Sequence, residues 1–159
     1  MKKYIITFLV GLIIGMGLMG FLAWKGTPGM MLAVEKSKLG FESTVMAVQE
    51  SAEAKGWNVP QVYDIQQNAR SAGHPNMTRL KILSLCQPDH AYNILSENDE
   101  NKRISAIMPC RIGVYETRDG VYIAQARIGL IGSFFGGTVS SEMRKISGEL
   151  KEILKVIID

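Results

Sequence analysis

The chain has 159 residues, 47% of them hydrophobic, with 18 basic and 15 acidic side chains. Lys2, Lys3 and Lys25 flank one apolar stretch, and apart from these three the chain is formally neutral. That balance argues against a nucleic-acid partner, which requires a basic field to engage phosphates; the length suits one domain.

Tyr4 to Trp24 carries no charge. As a helix rising about 1.5 Å per residue it spans roughly 30 Å, the thickness of a hydrocarbon core. A cleaved secretory signal has an apolar run of only about 7–15 residues and a small-x-small cleavage site, which Gly20-Phe21-Leu22-Ala23-Trp24 supplies poorly. The expectation is one uncleaved transmembrane helix over residues 4–24, with residues 1–3 as a cytoplasmic tail and 25–29 as a linker. Lys2 and Lys3 before the span, against Lys25 after it, keep the N-terminus cytoplasmic. Residues 30–159 are then exported, a periplasmic or extracellular domain held by a single pass in the inner (cell) membrane. The bilayer is thus the first expected partner, with Trp24 as interfacial anchor.

Met30 to Val34 reads as a strand. Phe41, Val45, Val48 and Ala52 recur at helical spacing, and Gly56 ends that helix. Val59 to Ile65 alternates as a strand near an edge, where Pro60 is tolerated. Gln66 to Ala72 predicts one or two helical turns, closed by Gly73-His74-Pro75. Arg79 to Cys86 is the next strand, and Pro88 takes the first position of a helix ending near Glu97. Asn98-Asp99-Glu100-Asn101 reads as a solvated turn. Arg111 to Thr117 and Val121 to Arg127 form a hairpin about Arg118-Asp119-Gly120. Ile128 to Thr138 reads as a glycine-rich hydrophobic loop, lacking the residues of a phosphate cradle. Met143, Ile146, Leu150, Ile153 and Ile157 mark a long C-terminal helix from Ser140 onward. The predicted class is α+β, a mostly antiparallel sheet of about five strands packed against two or three helices, preceded by the transmembrane helix.

Several of these residues carry a resemblance. Gly56-Trp57-Asn58-Val59-Pro60 with Tyr63-Asp64-Ile65, the turn Cys86-Gln87-Pro88 with Ala91, and Met108-Pro109-Cys110-Arg111-Ile112-Gly113-Val114-Tyr115-Glu116 resemble the family called domain of unknown function 302. The likeness runs from about Met30 to Leu154. Gln87 replaces the usual Asn of the first turn, and Met108 the usual Leu of the second. The resemblance implies a compact α+β fold, often a homodimer, and no established activity.

The only two cysteines, Cys86 and Cys110, stand where elements change. Antiparallel pairing of their strands brings them to one end of the sheet. In an oxidising compartment a structural disulfide is one reading, contributing about 3–4 kcal/mol in the chain-entropy account; two inert buried thiols are another. The sharper reading is a ligand-binding or redox site at Cys86, Cys110, Pro88, Pro109 and His90, taking a small molecule, a soft metal or a haem. Yet Cys86-x-x-x-His90 with a distant Cys110 matches no recognised ligand spacing, and no Cys-x-x-Cys occurs, so no metal ligand or cofactor is assigned. His90 reads as a surface residue and His74 as a turn residue. No Gly-x-Ser-x-Gly, no His-Glu-x-x-His and no evident carboxylate pair is present, so catalytic residues are not assigned either. The functional expectation is a non-enzymatic, membrane-anchored binding or accessory module of unknown ligand. Its alternative is a thiol- or metal/haem-dependent redox protein using Cys86 and Cys110.

Overall fold

A computed structural model of the chain describes residues 2–158, without the side chains of 2, 3, 5–7, 9, 10, 23–25, 27 and 28. It divides into two units, Met1–Met31 and Leu32–Asp159. The first is a continuous helix, α1, Lys2–Met31. The expected linker at 25–29 and the first residues of the expected strand are therefore helical. Extending a formed helix costs far less than nucleating one, so Gly26 and Pro28 do not end it. Among the described residues no helix is long and apolar enough to cross a membrane. The side chains of Trp24 and Lys25, read as anchor and flank, lie outside the described set, as does Met1.

The second unit runs β1 (Leu32–Lys36), α2 (Phe41–Ala54), β2 (Asn58–Asp64), α3 (Ile65–Ser71), β3 (Leu80–Cys86), α4 (Pro88–Ser96), a 3-10 helix (Glu100–Ile107), β4 (Cys110–Thr117), β5 (Gly120–Ala126), α5 (Ile128–Gly132) and α6 (Gly137–Leu154). The five strands form one sheet in the order β1-β5-β4-β3-β2, every neighbouring pair antiparallel. The α+β class and the five-stranded antiparallel sheet match the expectation.

Alternation along the strands builds the core. Leu83 and Leu85, Ile112 and Val114, and Val121 and Ile123 are buried beneath the helices. Phe41, Val45, Val48 and Ala52 of α2, with Met143, Ile146, Leu150 and Ile153 of α6, complete the same cluster. The stripes that predicted these helices are thus the stripes that bury them. Gly56, at φ +79°, ends α2 in the left-handed conformation that glycine adopts freely, and the Trp57 N–H bonds back to the Ala52 carbonyl. Trp57 is thereby turned inward and is only 2% exposed. On the edge strand β2 the register slips between Asn58 and Gln61, and Pro60 stands in that slip, where its missing N–H breaks no ladder bond.

Two expectations about loops are corrected. The polar run from Asn98 leads into the 3-10 helix, begun by the Asn101 N–H bonding to Asn98 Oδ1 at 2.9 Å and seated by buried Ile104. Ile128 to Thr138 is not a loop but α5, a tight turn and the first residues of α6. The two glycines of α5 serve close packing, since a Cβ on Gly132 would lie 2.5 Å from Met143 Cβ and one on Gly129 3.1 Å from Ser147 Cβ.

Candidate functional site

β3 and β4 pair antiparallel, so Cys86 and Cys110 do arrive at the same end of the sheet. The register pairs Leu85, not Cys86, with Cys110. Residues directly opposite share a face, so Cys110 lies with Leu85 on the helix-covered side, and Cys86, one step further, belongs by alternation to the other. Both cysteines are free thiols, and the disulfide expected between them is not formed; the one-residue offset is the physical reason.

Both nevertheless border one cavity of about 30 Å³ at the junction of β3, α4, β4 and α6. Pro109, Met108, Ile94 and Met143 supply further walls, and Gln87, His90 and Ala91 of the α4 entry form the cover. The Met108–Pro109 peptide is cis. Burial pushes the Cys110 thiol up to about 11, with a further contribution from nearby Cys86. Cys110 therefore persists as a neutral, weakly nucleophilic thiol.

Chain geometry explains the cover. Pro88 stands in the first turn of α4, where a missing N–H is harmless. Gln87 caps the helix from its side chain, Oε1 accepting the His90 N–H at 3.0 Å. Gln87 thus does the work of the shorter capping residues expected there. Pro88 itself is exposed and outside the lining.

Of the two sequence readings of His90, surface residue and site residue, the structure departs from the first. His90 is not a surface side chain but is only 12% exposed, clamped between two carboxylates of α6. Nδ1 lies 2.6 Å from Glu142 Oε2 and Nε2 3.0 Å from Glu149 Oε1. The Trp57 Nε1–H donates to the other oxygen of Glu149 at 2.8 Å, and its ring lies 6.2 Å from that of His90, tilted. Lys145 Nζ donates to Glu142 Oε1 at 2.6 Å. Glu142 is a carboxylate at 4% exposure; Lys145, first, and then His90 hold its pKa down at about 2. For His90, burial opposes the charge, but hydrogen bonds to Glu142 and Glu149 outweigh it and raise the pKa. A carboxylate at each ring nitrogen favours the imidazolium form, in which both nitrogens donate. The carboxylate pair not evident in the sequence is therefore Glu142 and Glu149, two turns apart on one helix face.

Both His90 nitrogens being engaged, His90 has none left over to ligate a metal beside the thiols. Among the described residues no group of three or more His, Cys, Asp and Glu side chains is arranged to hold a metal ion. His74 lies in an exposed turn, as expected. Glu116 and Asp89, flanking the two turns, do not join the cluster; Glu116 instead pairs with Arg79 at the surface.

Comparison with known proteins bears on this arrangement. No curated protein is significantly similar to the chain. Among solved structures, the crystal structure of an uncharacterized conserved protein DUF302 from Bacillus stearothermophilus is similar, with a TM-score of 0.71 at 21% identity. The match covers 79% of this chain and 97% of that one, and at this identity it speaks for the fold alone. Residues 33–158, which hold the sheet, the cavity and the His90 cluster, match the profile described as "Domain of unknown function DUF302", and the chain belongs to that family.

Proposed function

We propose that the C-terminal unit is a non-enzymatic binding module whose ligand occupies the cavity between the Cys86–Pro88 and Met108–Cys110 turns. The observation that carries this reading is a small, partly open space walled almost wholly by carbon and sulfur. Among the described residues every buried side-chain nitrogen and oxygen has a hydrogen-bond partner, so no fully buried polar side chain is left over to orient a polar ligand. The ligand chemistry is accordingly small and apolar. About 10–15 Å³ admits one water-sized sphere, so this space suits a ligand of a few heavy atoms, or the apolar end of a longer one. The test is uptake of xenon by the full chain, followed by ¹²⁹Xe NMR, beside the variant Ala91→Leu, which fills the space from α4. Saturable uptake lost in Ala91→Leu is expected. Equal uptake by both proteins, or none by either, rejects the site.

A redox role for Cys86 and Cys110 is the second reading, favoured by the shared cavity and by the influence of Cys86 on Cys110. The protonated state of Cys110 and the offset of the two side chains weigh against it.

We further propose that α1 tethers this module to the cytoplasmic membrane with the C-terminal unit outside. The uncharged run Tyr4–Trp24 within one long helix supports the tether, and the lysines before it support the orientation. Carbonate-resistant membrane association, with protease access to the C-terminal unit from outside only, is the expected result. Release by carbonate overturns it.

A further inference from the structure

The cover of the cavity is held by charge. We propose that His90 latches the first turn of α4 over the cavity, so that loss of its ring proton breaks one of its two bonds to α6, loosens that turn and admits the ligand. This rests on the cavity being the binding site.

Beyond its helical bonds the first turn of α4 has little else to hold it, the next side chain to reach α6 being Asn93, one turn on, which also bonds Glu142. Pro88 and Asp89 are exposed, and the buried anchor of the helix, Ile94, lies one turn further on. Gln87 ties the turn only to itself, through the cap on His90. What joins it to the rest of the molecule through side-chain hydrogen bonds is His90, by its two bonds to α6.

The charged and titratable groups about His90 are of both signs. From α6 come Glu142, Glu149 and Lys145, the last acting through Glu142. Asp89 is exposed on α4 itself, and the strand ends bring Cys86 and Cys110 to the same cavity. Trp57 contributes a donor to Glu149 and no charge. When His90 is charged, both carboxylates face a donor. When it is neutral, one ring nitrogen becomes an acceptor, and a lone pair then faces a carboxylate oxygen. One of the two bonds must break whichever tautomer forms. Because Glu142 is the buried and firmly ionised partner, the bond to half-exposed Glu149 is the one expected to open.

Rising pH is therefore the opening signal. His90 is raised above its ordinary 6.5 by the carboxylates, so the latch is closed below that value and releases as pH climbs through the higher folded value.

The experiment uses the full chain in nanodiscs. Hydrogen exchange at the Ala91 and Tyr92 amides, corrected for intrinsic rate, reports the α4 turn, and the ¹⁵N shifts of the His90 ring report its proton. Xenon uptake reports the cavity. Protection should fall by about tenfold or more as His90 titrates, the equilibrium equivalent of one charge-assisted hydrogen bond, with xenon entering over the same interval. In His90→Gln, protection should be low and unchanged across that interval. Glu149→Gln, a change at a half-exposed group, supplies an amide that can donate to the neutral ring, so the turn should stay protected across the same interval, and this is informative even if His90→Gln does not fold. Flat protection through the titration of the unaltered chain, or the same opening in Glu149→Gln, overturns the latch. Protection that follows His90 while xenon enters no form at any pH upholds the latch and rejects the binding site.

Discussion

His90 and Glu142 stand 52 positions apart and meet with Nδ1 and Oε2 at 2.6 Å, joining the helix after one cysteine turn to the C-terminal helix. The contact is short, largely buried and charge-assisted, the combination in which a hydrogen bond is worth most. It also ties two titrations to one contact.

Stability should accordingly peak over a bounded pH range. Glu142 is depressed from 4.5 to about 2, so its contribution is complete above about 4.5 and is lost as pH falls toward 2. His90 is raised above 6.5, so its contribution is complete below that value and is lost as pH climbs through the folded value. Thermal unfolding of the C-terminal unit across pH 2 to 9 should show both flanks. In His90→Gln the alkaline flank should flatten while an acid loss remains, because Lys145 still pairs with Glu142.

Glu142→Gln should lower stability by about 2–3 kcal/mol, since it removes the charge from a buried acceptor shared by two cationic donors. Lys145→Ala should cost less than about 1 kcal/mol, because that ammonium is mostly in water. Urea denaturation at pH 6 orders the two variants; equal losses would place the energy in the Lys145 pair.

The architecture was largely legible, and the reason is periodicity. The stripe Phe41, Val45, Val48, Ala52 and the alternation in β3, β4 and β5 each reflect one buried face, and burial imposes that spacing. The strand pairing that unites the cysteine turns was legible too, but not its register, which one residue decides. Cys86, Cys110, Pro109 and His90, named from the sequence, do border the cavity, but the charged cluster beside it was not legible. His90, Glu142, Glu149 and Trp57 belong to three separate segments, and on its own helix each carboxylate reads as a solvated charge. Only α4 crossing α6 makes them neighbours. One trace was available: Trp57 directly after Gly56 marks a chain reversal that carries an indole N–H into the core, where it needs an acceptor. In α5 the glycines hid a helix, because low propensity is overruled where two helices must approach closely.

The thiols should behave as two unbridged groups. From an ordinary 9.0 to about 11, Cys110 loses about a hundredfold in thiolate at neutral pH, and labelling by a maleimide should slow by that factor relative to a free cysteine. With no bridge, the double variant of Cys86→Ser and Cys110→Ser should lose more stability than either single one, though the shared cavity keeps the two losses from a simple sum. A double variant no worse than either single one would show that the pair acts as one unit, as a disulfide does.

Gly132→Ala tests how α5 seats against the helix that carries both carboxylates. The new Cβ would lie 2.5 Å from Met143 Cβ and 3.1 Å from its sulfur. The β-carbon of Met143 cannot rotate away, so the backbones must part, at a cost of about 1–3 kcal/mol. Met143→Ala would remove the sulfur but not the β-carbon, and should leave most of that loss in place. Met143→Gly in the Gly132→Ala background clears the space, at the expense of a cavity and a glycine within α6. The relief therefore has to be read as a coupling energy in a double-mutant cycle. A coupling near zero for the Gly132→Ala and Met143→Gly pair would show that α5 does not depend on this close approach. A coupling above about 1 kcal/mol would establish it as what fixes α5 on α6.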